Sequence, residues 1–318
     1  MIHRQIHTDN IGFLVIKPDS FMTGIATLIL DYFEKAGFLI SAYSFKENVT
    51  QSELERMHSS FTFQNSNHNF YWWMVSEQSK YAPYLGIVLT TNSKENCLGK
   101  LNRLKGDTDP LFYNCIGIRQ TMHGINKCMN CIHVPDNFDK MMANLRAFFS
   151  DEQIDGLMAN LYDNYLLHQH WRNHLEYFLK WYDGKTAHQF IDIVLKSKID
   201  ILVTLYKMHN RKLKEYTQFY LNRLAKLEYT MDMFLKDNDR DICAITSIRE
   251  DICSDGHLNY EDSLQFLNSC QAFQMLSNPQ QYSQLSEDDI SLLKLSGVKL
   301  YPVDWLILKT SMIQWPIS

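Results

Sequence analysis

At roughly 150 residues per domain, a chain of 318 residues with 45% hydrophobic content is long enough for two buried cores. Its 31 basic and 36 acidic residues leave a net charge of −5, which excludes the broad basic footprint of a nucleic-acid binder but not a small anionic ligand held by a few local donors. No apolar run approaches the length of a membrane span, and the opening MIHRQIHTDNIGFLVIKPD has no uninterrupted apolar stretch after its basic residues, so neither a span nor a Sec-type leader is expected.

Taken in chain order, IGFLVIK (Ile11 to Lys17) is a short β-rich run ended by Pro18, with Asp19 or Ser20 suited to capping a helix. The segment FMTGIATLILDYFEKAGF places Ile25, Leu28, Ile29, Tyr32 and Phe33 on one helical face, and Gly37 suits its end. FLISAYSF (Phe38 to Phe45) and YLGIVL (Tyr84 to Leu89) read as strands. NCIH (Asn130 to His133) precedes the helical pattern FDKMMANLRAFF (Phe138 to Phe149). The first 150 residues therefore read as α/β. From Asp151 onward the texture becomes long, mixed and helix-permissive, which predicts an all-α domain over 151–318 with its boundary near Ser150.

The stretch NCIHVPD poses the functional question, because His133 ends an apolar segment just before a turn. It has three readings: metal ligand, packed core residue or nucleophile. Cys128, Cys131 and His133 invite zinc, yet no second Cys/His pair lies at finger spacing to complete a tetrahedral site. The seven cysteines form no small-scaffold pattern, and reduced thiols fit a cytoplasmic protein; delivery by a specialised secretion system is compatible with the same features. His170 and His174 stand four apart but lack the Glu of a metalloprotease helix. DICSDGHLNYED (Asp251 to Asp262) resembles a calcium loop with Cys253 and Asp262 in place of two oxygen ligands; a tight Asp-Gly turn before a capped helix is the plainer reading. No Gly-rich phosphate loop occurs.

Four motifs in order make residues 1–150 resemble the nucleoside diphosphate kinase family. FLVIKPDS matches the family's first strand with a phosphate-contacting lysine, here Lys17. GDTDP (Gly106 to Pro110) matches a Gly-x-Thr-Asn-Pro segment and places Thr108 at a phosphate-contacting threonine. Arg119 follows Pro110 at the spacing of a phosphate-contacting cation, and NCIHVPD matches Asn-x-x-His-Gly-Ser-Asp with Asn130 and His133 at the signature positions. The resemblance implies a ferredoxin-like antiparallel sheet covered by helices. It also implies transfer of a γ-phosphoryl group from a nucleoside triphosphate through phosphohistidine at His133 to a nucleoside diphosphate or another acceptor, with Mg²⁺ on the nucleotide. A neutral imidazole is a usable nucleophile near neutral pH, and cations and hydroxyls on the phosphoryl oxygens stabilise the charge that develops.

Departures from the family are specific. Its Gly-Ser after the histidine is Val134-Pro135 here, and its Glu on the next helix falls on Asn144, so the carboxylate and hydroxyl that orient the nucleophile are both absent. A second family arginine falls on Asn102, with Arg103 adjacent. Phe70, within NFYWWM (Asn69 to Met74), is the candidate for base stacking. These losses leave a second expectation, a nucleotide-binding or interaction module with weak catalysis. The resemblance further implies oligomers, and the helical half is a candidate surface for a protein partner.

Overall fold

A computed structural model describes residues 10–47, 49–57, 76–91, 95–110, 116–159, 168, 172–176, 179, 190–208, 210–224, 231–255 and 258–313. The chain divides into two compact units, Met1–Ala187 and His188–Ser318.

The first unit is built on four antiparallel strands in the order β2-β3-β1-β4: β1 (Ile11–Ile16), β2 (Phe38–Lys46), β3 (Tyr84–Thr91) and β4 (Ile132–His133). Helices α1 (Pro18–Met22) and α2 (Ala26–Lys35) join β1 to β2; α3 (Gln51–Met57) follows β2; α4 (Cys97–Lys105) and α5 (Ile118–Thr121) lie between β3 and β4; and α6 (Phe138–Phe148) follows β4. This is the ferredoxin-like arrangement. The two central strands, β1 and β3, are buried at every position, which explains why IGFLVI and YLGIVL read as continuous apolar runs instead of alternating ones. Gly86 on β3 is required by close packing, since a Cβ there would lie 2.6 Å from the Phe148 ring. Phe148 also meets Phe13 edge to face with ring centroids 5.6 Å apart.

The helix expected from Phe21 onward is two helices, separated by Gly24 at φ 72°. Pro18 occupies the first turn of α1, with Lys17 rather than Asp19 or Ser20 at the N-cap position. The buried face of α2 is Ala26, Ile29, Leu30 and Phe33, whereas Leu28 is exposed. Helices α4 and α6 start at Asn96 and Asn137, whose side chains accept from the amides of Gly99 and Lys140 at 2.9 Å.

Beyond α7 (Asp151–Ala159), residues past the expected boundary join the first unit. His168 Nδ1 accepts from the Ile40 amide at 3.1 Å on edge strand β2, and Arg172 pairs with Asp31 and Glu34 of α2.

The second unit is helical: α8 (Phe190–Tyr206), α9 (Arg211–Leu224), α10 (Met231–Asp255), α11 (Tyr260–Leu276), a 3-10 turn at Pro279–Gln284, α12 (Glu287–Leu295) and α13 (Pro302–Ile313). Helix α8 buries Phe190, Ile193, Val194, Ile201, Leu202 and Leu205 on one face. Within that apolar face Lys198 is fully buried and pairs with Asp241 at 2.9 Å. The calcium-loop resemblance is not realised: Asp251 to Asp255 belong to α10, and Asn259 caps α11 by accepting from the Asp262 amide at 2.8 Å. Among the described residues no helix is long and apolar enough to cross a membrane.

Candidate functional site

Strand pairing sets the centre of the site. Val15 lies opposite His133 and Ile16 opposite Ile132, while the Lys17 amide donates to the Cys131 carbonyl at 2.9 Å. The end of β1 and the whole of β4 therefore deliver Lys17 and His133 to the same end of the sheet.

The KPDS segment braces the turn before His133. Cys131 holds a left-handed backbone at φ 70°, an unfavourable conformation for a non-glycine residue. Three contacts maintain it: the Asp19 carboxylate accepts from the Cys131 amide at 2.7 Å, the Ser20 hydroxyl donates to the Cys131 carbonyl at 2.7 Å, and the Lys17 amide donates to that same carbonyl. Asp19 and Ser20 thus act in the first unit as props for the loop, a role that capping signals in the sequence did not suggest.

Around this turn the charged groups converge. The Lys17 ammonium donates to Asn130 Oδ1 at 2.9 Å and to the Cys128 carbonyl. Asn130 in turn donates to the Thr108 carbonyl at 2.8 Å, tying the NCIH turn to the GDTDP turn. Arg119, on α5, donates to the Ile132 carbonyl at 2.9 Å and to the Asp107 carbonyl at 3.3 Å, with the exposed Thr108 hydroxyl at 3.5 Å. Gly106 begins that turn at φ 75°, the left-handed region its missing side chain permits. Lys17, Arg119 and Asn130 are buried in this network, and Thr108 lies at its edge.

His133 retains a small accessible surface while its Nε2 makes a 2.8 Å hydrogen bond with Asn144 Oδ1 from α6. Burial first, then the positive fields of Arg119, Lys105 and Lys17, push its pKa down from the ordinary 6.5 to about 3; the Asn144 contact opposes that shift. The imidazole is therefore neutral at physiological pH, as a nitrogen nucleophile requires. The orienting partner that the Glu-to-Asn change was expected to remove is present in amide form.

Lys105 is the cation that sequence reasoning missed. It stands in the last turn of α4, immediately before Gly106, and its ammonium reaches the Val134 carbonyl at 3.3 Å and Asp136 at 3.0 Å. Its position ahead of GDTDP was the available signal. Arg103 is not brought to this cluster: it is exposed and forms a forked ion pair with Glu95 at 2.9 Å. One residue earlier, Asn102 faces the turn and donates to the Pro135 carbonyl at 2.9 Å, so the 100° step between neighbours on a helix separates the two. Phe70 lies outside the described residues.

Among the described residues no three His, Cys, Asp or Glu side chains gather as metal ligands. Cys97, Cys128, Cys131 and Cys270 are buried and form no disulfide, and burial pushes the thiols of Cys97 and Cys270 up to about 12. His174 contacts the Tyr43 hydroxyl. Carboxylates around the cluster are engaged in structure: Asp136 bridges Lys105 and Lys140, Asp19 holds Cys131, Asp109 pairs with Lys127 at 3.6 Å, and Asp107 accepts from the Asp109 amide at 3.0 Å. The described residues therefore do not fit a resident Mg²⁺ site. A concavity of about 260 Å³ between the starts of α4 and α6 is lined by Ile11, Asn96, Leu98, Gly99, Asp136, Asn137 and Phe138, away from His133.

Comparison with known proteins matches residues 10–154 to the family model described as nucleoside diphosphate kinase. A nucleoside diphosphate kinase of Fervidobacterium nodosum is 24% identical over 152 residues, covering 48% of this chain and 97% of that protein. Solved nucleoside diphosphate kinases from Encephalitozoon cuniculi and Aquifex aeolicus share 21% and 22% identity, each over 45% of this chain and over 90% and 96% of theirs, with TM-scores of 0.39 and 0.37. The enzyme from Halobacterium salinarum, solved in complex with CDP, shares 18% identity over 45% of this chain and 90% of its own, with a TM-score of 0.38.

Proposed function

We propose, from the premise that residues 10–154 form a nucleoside diphosphate kinase-family domain, that this chain is a nucleotide-binding phosphotransferase using His133 as its nucleophile. The observation that carries the reading is a neutral imidazole, held at one nitrogen by Asn144 and set among Arg119, Lys105 and Lys17.

In this reading the imidazole lone pair attacks the γ-phosphorus of a nucleoside triphosphate. The P–N bond forms as the bond to the bridging oxygen breaks, and that oxygen keeps the electron pair as the diphosphate leaves. Lys17, Arg119 and the Thr108 hydroxyl stabilise the charge on the phosphoryl oxygens, and Asn130 holds the two turns in register. The acceptor, a nucleoside diphosphate or another nucleophile, takes the phosphoryl group by the reverse displacement. Mg²⁺, where used, arrives on the phosphates of the nucleotide, and no step above passes through it. A cytoplasmic site of action belongs to this same proposal.

A second reading, a nucleotide-binding module with little turnover, is favoured by Val134 and Pro135 in place of the Gly-Ser that resembling sequences carry. One experiment separates the two. Wild type and His133→Ala are incubated with γ-labelled ATP and Mg²⁺, and covalent label and bound nucleotide are both measured before a chase with nucleoside diphosphates. The phosphotransferase gives acid-labile, base-stable label on wild type only, with transfer in the chase. Bound nucleotide without label overturns the catalytic reading.

A further inference from the structure

We infer that the helical segment carrying His168 and Arg172 is an intramolecular cap on the outer edge of β2, and that it keeps a second copy of this chain from adding its own β2 to the sheet. The inference is independent of the chemistry at His133.

The need for a cap follows from the sheet. In the order β2-β3-β1-β4 the two ends differ: β4 has two residues, whereas β2 runs for nine, from Phe38 to Lys46. Its sequence FLISAYSFK has no proline and a single charge, at its last position, so it carries few of the features that discourage strand addition. An identical β2 meets such an edge antiparallel about a two-fold axis, which makes the strand its own complement. The register shift between Ile40 and Ala42 is the strand's own deterrent, and it splits the edge into two short runs.

The cap reaches both runs. His168 Nδ1 accepts from the Ile40 amide at 3.1 Å in the first, and His174 contacts the Tyr43 hydroxyl in the second. An incoming strand would lie about 4.8 Å away and would need that same Ile40 N–H for its own carbonyl. The imidazole stands where that carbonyl would be, so the cap and a second strand exclude each other.

The segment is anchored to compete. His168 and Arg172 stand four apart in helical backbone and share a face with Leu175 and Leu179, and all four are buried. Because Nδ1 accepts, the ring proton is on Nε2, which lies 3.3 Å from Glu34. Arg172 pairs with Asp31 and, at 3.0 Å, with Glu34, so the segment is tied to α2 as well as to β2. As part of the same chain it acts at a high effective concentration that a second copy in dilute solution does not reach.

The test uses the full chain at low and high protein concentration, with mass from sedimentation velocity and exchange of the Ile40 amide from NMR. In wild type the protection of Ile40 is expected to be the same at both concentrations. The double variant His168→Ala, Arg172→Ala is expected to gain mass toward a dimer as concentration rises, with Ile40 exchange slowing roughly tenfold over the same range. His168→Ala alone removes the acceptor and keeps the Arg172 pairs, so it serves where the double variant does not fold; at low concentration its Ile40 amide should exchange roughly tenfold faster than in wild type. Wild-type protection of Ile40 that rises with concentration overturns the inference, because the edge would then already be shared. So does a folded double variant with the mass of wild type at every concentration, or a folded His168→Ala chain whose Ile40 exchange is unchanged.

Discussion

Burial and three cations act on His133 in one direction, and the consequence reaches stability as well as chemistry. The folded chain keeps the imidazole neutral down to about pH 3, whereas the unfolded chain protonates it near its ordinary value of 6.5. Between those values the unfolded state binds a proton that the folded state refuses, so stability falls as pH is lowered through the window and is unaffected above it. Denaturant unfolding at about pH 7 and about pH 5 should show wild type losing on the order of 2 kcal/mol from this group, and His133→Gln losing less by that amount. Equal losses would contradict the assignment. At Asp19 the expectation concerns a hydrogen bond. Asp19→Ala removes the acceptor of the buried Cys131 amide at a residue already held in a left-handed conformation, and should cost about 1–3 kcal/mol in the same measurement. These two residues differ in legibility. His133 stands in a compact motif, while the bracing role of Asp19 depends on a contact across 112 residues that no local pattern encodes.

Strands β1 and β3 were readable as elements because burial on both faces leaves an unbroken apolar run, and α6 because its apolar residues recur at helical spacing behind an Asn cap. The break between α1 and α2 was not, since Gly24 looks the same in a helix interior as at a left-handed turn until the neighbouring packing is known. Strand β4 has only two residues, too few for a period, and exists because Val15 and Ile16 offer it an edge. The attachment of His168 and Arg172 was also hidden. Edge strands need covering, and here His168 takes the Ile40 amide while Arg172 bridges Asp31, Glu34 and Glu176. Arg172 is nearly buried but its carboxylate partners keep 25–46% of their surface, so solvent screens much of the attraction. Arg172→Ala should therefore cost about 1–3 kcal/mol by equilibrium unfolding, less than a fully buried pair. A change within error would show that the edge is held by apolar packing alone.

At the scale of the molecule, each of the two units has its own buried core, and the helical one also carries a buried charge pair. Lys198 and Asp241 are shielded from water at the centre of α8 and α10, where removing one partner leaves the other uncompensated. Lys198→Ala should cost about 3–5 kcal/mol. Hydrogen exchange locates the loss: amides of α8 and α11 should exchange faster while those of β1 and β3 are unchanged, and equal acceleration in both units would contradict separate cores. Length left room for two cores, and the texture change at residue 150 marks a switch to helix-permissive sequence, whereas the chain divides into its two compact units after Ala187. The candidate site was legible where chemistry is written in short motifs, at Lys17, Thr108, Arg119, Asn130 and His133. Asn144 and Lys105 gain their meaning only when α6 and α4 are set against β4.

The most direct measurement of the central claim is mass spectrometry of the full chain after brief exposure to ATP and Mg²⁺, quenched in base to preserve a phosphoramidate. The account predicts a single phosphoryl adduct confined to the peptide containing His133, removed by mild acid and absent from His133→Ala. A wild-type chain that binds ATP yet carries no adduct, or an adduct that persists in His133→Ala, would contradict it.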